Sequence, residues 1–152
     1  MARDLNVQRG EQEEQTGTMA SSVELTARAP GGPRVLVVDD DPELRTILCE
    51  ALCEEGYLAD QATNGADAVR CIASQVHPDL ILMDLRMPVM DGYEFLKRCS
   101  VDETLRQIPV IVVSATVDRD IDDPTVQTVR KPFNLGELLR LIDRELRSRS
   151  AS

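Results

Sequence analysis

Three short, almost uninterrupted apolar runs constrain this chain more than any other feature: 34–38 (RVLVV), 79–83 (DLILM) and 109–113 (PVIVV). Successive side chains of a strand point to opposite faces, so a run that is apolar at nearly every position needs cover on both sides. That is the pattern of central strands in a parallel sheet packed between two layers of helices. Weaker strand signals fall at 57–61 and 126–130.

Helix signals fill the gaps between the runs. After the first run, Asp41 is placed to cap a helix with Pro42 at its first position. Leu44, Ile47, Leu48, Ala51 and Leu52 form one apolar face, and Gly56 ends it. Thr63 or Asn64 can cap a second helix carrying Ala68, Val69 and Ile72. Asp91, with Glu94 three residues on, caps a third that turns Phe95, Leu96 and Cys99 inward. A last helix starts at Asn134, has Glu137 in the box position, and repeats Leu135, Leu138, Leu139, Ile142 and Leu146 at helical spacing. Strands alternating with single helices predict right-handed crossovers. The fold class is therefore α/β: a doubly wound, five-stranded parallel sheet in the flavodoxin-like order 2-1-3-4-5, with helices on both faces.

Residues 1–33 are polar, rich in Glu, Gln, Ser, Thr and Gly, and close on Pro30-Gly31-Gly32-Pro33. They read as a disordered extension, leaving 34–147 as the folded domain and 148–152 as a polar tail. The net charge of −10, from 27 acidic and 17 basic residues, repels a phosphate backbone, so no nucleic-acid partner is expected. No apolar stretch reaches the roughly 18 residues of a membrane span and the N-terminus has no apolar signal region, so no membrane partner is expected and the location reads as cytoplasmic. Cys49, Cys53, Cys71 and Cys99 lack C-x-x-C spacing and read as packing residues or bystanders in a reducing compartment; Cys49 and Cys53 share a stripe slightly off the main apolar face, which leaves a redox or dimer role as the alternative. His77, the only histidine, precedes Pro78 in a loop and reads as a surface residue.

In a doubly wound sheet ligands bind outside the carboxyl ends of the strands, near the switch point between strands 1 and 3. Asp39 and Asp40 follow strand 1, Asp84 follows strand 3, Ser114 follows strand 4 and Lys131 follows strand 5, so all five fall on one rim. Singly each has an ordinary reading: a strand-end Asp is usually a cap, as Asp41 and Asp91 are taken to be, a Ser is usually a turn residue and a Lys usually faces solvent. Together they do not. Three carboxylates brought together repel, and a hard divalent cation such as Mg²⁺ is the simplest compensation. With a phosphate donor present, a carboxylate nucleophile, a hydroxyl and a lysine suit the in-line transfer of a phosphoryl group.

The segments VLVVDDDPELR, PDLILMDLRMPVMDGYEFL, PVIVVSA and VRKPF resemble the successive signatures of two-component response-regulator receiver domains over residues 34 to 146. The resemblance implies that Asp84 is the phosphoacceptor, that Asp39 and Asp40 are the acid pair, and that the backbone carbonyl of Arg86 completes the Mg²⁺ shell. It implies that Ser114 contacts the phosphoryl group, Lys131 pairs with it, and Lys131-Pro132 is cis. The Arg86 side chain either leans over the site or lies in solvent.

The chain departs from the family at two points. Thr128 stands where receivers usually carry an aromatic residue, three positions before the lysine. The segment between Ser114 and Lys131 is shorter than is typical, lacks apolar periodicity and is acidic at Asp118, Asp120, Asp122 and Asp123, so the fourth helix is expected to be short, distorted or absent. The acidic run is either a solvated loop or a site for a basic partner surface.

The resemblance implies a stand-alone receiver, since no output domain follows residue 149, that takes its phosphoryl group from a histidine kinase or phosphotransfer protein and signals to an unknown downstream protein. It catalyses only its own phosphorylation and dephosphorylation, and is otherwise no enzyme. Thr128 and the short segment motivate the alternative of a receiver-fold interaction module whose output does not depend on phosphorylation. A third reading, an Asp-nucleophile phosphohydrolase of the haloacid-dehalogenase kind, needs a second acid two residues after the nucleophile, where Arg86 stands.

Overall fold

The computed structural model of the chain describes residues 32–74, 77–117, 121 and 123–150. The N-terminal extension read at 1–33 lies outside them except for Gly32 and Pro33, as do Asp118, Asp120 and Asp122. Five parallel strands, β1 (Arg34–Val38), β2 (Leu58–Ala62), β3 (Leu80–Met83), β4 (Val110–Ser114) and β5 (Gln127–Arg130), form one sheet in the expected order β2-β1-β3-β4-β5. All except β1 start one residue later than the apolar pattern indicated.

The described helices are α1 (Pro42–Glu54), α2 (Gly65–Ala73), α3 (Gly92–Val101), a single turn α4 (Glu103–Arg106) and α5 (Leu135–Ser150). Their starts follow the caps. Asp41 accepts from the amides of Glu43 and Leu44 ahead of Pro42, Asn64 rather than Thr63 accepts from Asp67, and Asp91 with Glu94 closes a reciprocal capping box. Asn134 accepts from the amide of Glu137 at the head of α5, which runs to Ser150. Gly56, at φ +96°, takes the left-handed turn just after α1 that other residues enter at a cost.

Alternation along the strands divides the core in two. Leu36, Val38, Ile81, Met83, Val110 and Val112 face α2 and α3, meeting Ala68, Ile72, Phe95 and Cys99. Val35, Val37, Leu80, Leu82, Ile111 and Val113 face α1 and α5, meeting Leu48, Cys49, Leu52, Leu138 and Ile142. The expected face of α1 needs one correction: Ile47 is 51% exposed while Cys49 is buried. Neighbouring helix positions are about 100° apart, and the sheet takes a stripe centred between Leu48 and Leu52, which brings Cys49 in and leaves Ile47 beyond the opposite margin. Cys53 is exposed, so the two cysteines of α1 do not share an environment.

Between β4 and β5 the described residues contain no helix. Val117, Ile121 and Val126 of this crossover pack on the first core, and Thr128 of the edge strand β5 is exposed. No helix among the described residues is long and apolar enough to cross a membrane.

Candidate functional site

The sheet itself sets the positions of the rim residues. The amide of Asp39 donates to the carbonyl of Ala62 (3.2 Å), that of Asp84 to Val38 (3.0 Å) and that of Lys131 to Ser114 (3.0 Å). Each is a rung added beyond the end of a strand, so the backbone is held as in a sheet while the side chain projects over the rim. Ser114 is the last residue of β4 rather than the first beyond it, and is fully buried.

All five residues expected at the rim lie there. One carboxylate oxygen from each of Asp39, Asp40 and Asp84 falls within 4.8 Å of the others, with Asp39 and Asp84 buried and Asp40 exposed. Lys131 Nζ lies 3.0 Å from Oδ2 of Asp39 and 3.3 Å from Oδ2 of Asp84. The Ser114 hydroxyl donates to Oδ1 of Asp84 at 2.9 Å and lies 3.1 Å from the carbonyl of Thr116, so its single proton serves two acceptors. The Arg86 amide donates to the same Oδ1 at 3.3 Å, and Arg86 is exposed. Lys131-Pro132 is cis.

Burial pushes the Asp39 carboxyl above its ordinary range, against the opposing pull of the Asp41 amide and of Lys131. Burial by itself draws the Lys131 ammonium down, but the hydrogen bond and charge of Asp39, with those of Asp84, outweigh it and raise the pKa. One ammonium thus contacts two of three clustered carboxylates. Their oxygen-only donor set and excess negative charge fit a hard cation that keeps part of its water shell, as Mg²⁺ does.

The loop after Asp84 is held tightly against the rim. Gly92 donates its amide to the carbonyl of Leu85 (2.9 Å), and a Cβ there would stand 2.6 Å from the carbonyl oxygen of Asp84. Only glycine allows α3 to start so close to the end of β3. Between them, Met90 donates back to the Pro88 carbonyl at 2.8 Å, a three-residue turn centred on Val89 at φ +70°.

Residues 35–143 match the family model of the response regulator receiver domain. The chain belongs to that family.

As a receiver it is 36% identical over 111 residues to sporulation initiation phosphotransferase F of Bacillus subtilis, a match covering 69% of this chain and 86% of that one. It is 36% identical over 122 residues to the regulatory protein AtoC of Escherichia coli, covering 77% of this chain but 26% of that one, so it spans about a quarter of that relative's length. Among solved structures, the receiver domain of the sensor histidine kinase PA1611 from Pseudomonas aeruginosa, with a magnesium ion coordinated in its active-site cleft, superposes with a TM-score of 0.65 at 30% identity, covering 76% of this chain and 98% of that one. Receivers are signalling modules rather than enzymes in the ordinary sense.

Sequence reasoning missed two polar residues beside the receiver's acid pair. Arg45 of α1 donates from Nη1 to the carbonyl of Asp39 (2.7 Å) and from Nε to Oε1 of Gln61 on β2 (3.0 Å). A cation near the positive end of a helix is disfavoured by the helix dipole, which was the available signal that Arg45 has a specific partner.

Proposed function

We propose that this receiver accepts a phosphoryl group on Asp84 from the phosphohistidine of a histidine kinase or phosphotransfer protein. The observation that carries this reading is the environment of the Asp84 carboxylate, buried at the rim with Oδ1 on the Ser114 hydroxyl and Oδ2 on the Lys131 ammonium. A carboxylate oxygen of Asp84 attacks phosphorus, the P–N bond to the donor imidazole breaks, and the imidazole leaves with its electron pair and takes a proton. Asp39, Asp40 and Asp84 suit a Mg²⁺ site, with the Arg86 carbonyl as a further ligand, and the cation supplies the charge neutralisation that lets one anion approach another. Lys131 and Ser114 are within reach of oxygens on a group carried by Asp84, and stabilise them by charge and by donating a hydrogen bond.

The domain boundaries go with this reading: 34–147 as the receiver, 1–33 as its extension and 148–152 as the tail. Signalling in the cytoplasm through protein contacts belongs to the same reading. The decisive test is intact mass after incubation with phosphoramidate and Mg²⁺. A gain of one phosphoryl group, absent in Asp84→Ala, is expected; no gain in the wild type, or an undiminished one in the variant, overturns the proposal.

A second reading, an interaction module whose output ignores phosphorylation, is favoured by Thr128 and by the β4–β5 crossover. Thr128 is exposed in place of an inward-turning aromatic residue, and no helix occurs in the described part of the crossover. Partner affinity that is equal with and without a beryllofluoride mimic supports this reading over the first.

A further inference from the structure

The geometry points to Arg45 as the positioning residue of the acid pair, setting the direction of Asp40 through the peptide plane that joins it to Asp39. The inference rests on the metal-assisted reading of the rim and adds a residue to it.

Asp39 and Asp40 differ in how they are held. The Asp39 carboxylate accepts from the amide of Asp41 (2.9 Å) and from Lys131 (3.0 Å), and the Asp39 amide is bound to Ala62 (3.2 Å). Asp40 is exposed and its carboxylate has no hydrogen bond among the described residues, yet an oxygen of it lies within 4.8 Å of oxygens of both Asp39 and Asp84. Something other than its own side-chain contacts keeps it aimed at the site.

The peptide bond is planar, so fixing one end of a peptide unit fixes the other. The carbonyl of Asp39 belongs to the planar unit that ends at the Asp40 Cα, and Arg45 Nη1 holds that carbonyl at 2.7 Å. The next unit, from Asp40 to Asp41, is held by the Asp41 amide on Oδ1 of Asp39. Asp40 therefore stands between two pinned planes, and its Cα–Cβ direction is set without any contact to its carboxylate. Arg45 is in turn braced by Gln61 on the neighbouring strand, 3.0 Å from Nε, so the planar guanidinium ties the head of α1 to β2.

The sign of the effect separates this role from simple electrostatics. A cation near three carboxylates competes with a metal, so removing its charge should tighten Mg²⁺ binding if charge were its whole contribution. Removing a positioning residue should loosen it, as loss of the partners that orient metal ligands does, by about tenfold or more. The two contributions have opposite signs, and calorimetry reads the winner.

The test is Mg²⁺ titration of the full chain by isothermal calorimetry for the wild type, Arg45→Gln, Arg45→Lys, Gln61→Ala and the double variant Arg45→Gln with Gln61→Ala. The expected result is Mg²⁺ dissociation constants raised about tenfold in Arg45→Gln and a few-fold in Gln61→Ala, with partial rescue in Arg45→Lys and no further loss when Gln61→Ala is added to Arg45→Gln. Unchanged or tighter binding by folded Arg45→Gln overturns the inference. If that variant fails to fold, unchanged binding by Gln61→Ala, a change at an exposed side chain, overturns it instead. A wild type that does not bind Mg²⁺ overturns the metal-assisted reading itself, which is a different result from a binding wild type with indifferent variants.

Discussion

Lys131 and Asp39, 92 residues apart in the chain, meet as a 3.0 Å ion pair at the sheet rim, with the Asp39 side chain 5% exposed and that of Lys131 22%. The same ammonium reaches Asp84, so it is the charge that makes two buried carboxylates tolerable in the absence of metal.

Replacing Lys131 with methionine keeps the aliphatic stem and removes the charge. In chelator the variant should lose about 2 kcal/mol of unfolding free energy, less than a fully buried pair because the ammonium is partly solvated. Saturating Mg²⁺ should narrow the gap, since a bound cation can take over the compensation. Urea unfolding with and without Mg²⁺ measures both; an equal loss in the two conditions would show that the side chain acts through packing.

Stability should respond to acid in two opposite ways. A carboxyl whose folded pKa is raised holds its proton more tightly in the fold, so Asp39 contributes stability below 3.8 that is lost as pH rises through its folded value. Asp67, Asp123 and Asp143, lowered chiefly by hydrogen bonds from Thr63, Thr125 and Arg147 respectively, contribute stability above 3.8 that is lost as pH falls through their folded values. Lys131, raised above 10.5, keeps its contribution throughout this range and loses it only in strong alkali. The metal-free protein should therefore gain stability from Asp39 as pH falls from neutral toward the ordinary carboxylate range, and Asp39→Asn should lack that gain. Denaturation midpoints in chelator across the range check this, and parallel curves for the two proteins would refute it.

Gly92→Ala places a methyl group 2.6 Å from the Asp84 carbonyl oxygen and 2.8 Å from Leu85 Cα. Both are backbone atoms, so relief requires moving α3 or the end of β3. The expected cost is about 1–3 kcal/mol with a weaker Mg²⁺ isotherm alongside, because the atoms displaced carry Asp84. A loss of stability with unchanged metal affinity would place the movement in α3 alone.

Val89 holds φ +70° at the centre of a tight turn while 82% exposed, so it has strain to lose and little packing. Glycine enters positive φ without a Cβ clash, so Val89→Gly should raise stability by about 0.5–1 kcal/mol even after the added freedom of the unfolded chain. A denaturation midpoint at or below the wild-type value would contradict the strained turn.

Much of the fold was legible in the sequence because its causes are local. Continuous apolar runs identified the central strands, caps at Asp41, Asn64, Asp91 and Asn134 marked helix starts to within a residue, and strand ends listed the rim residues. The rotation of α1 that buries Cys49 and exposes Ile47 was not legible, since both lie near the margin of one apolar stripe and only the sheet's position chooses between them. Arg45 and Gln61 were missed for a related reason. They are 16 residues apart on a helix and a neighbouring strand, and nothing in the spacing of either announces the other.

The sequence by itself therefore determined the order of elements, the alternation that covers both sheet faces, and which side chains arrive at the carboxyl rim. The tertiary structure decided how they are held there: Lys131 shared between Asp39 and Asp84, Ser114 between Asp84 and Thr116, and the Asp39–Asp40 peptide held by Arg45. Periodicity and capping act over a few residues along the chain. Hydrogen-bond partners at the rim are chosen across as many as 92 residues, and become neighbours only once the strand order is in place.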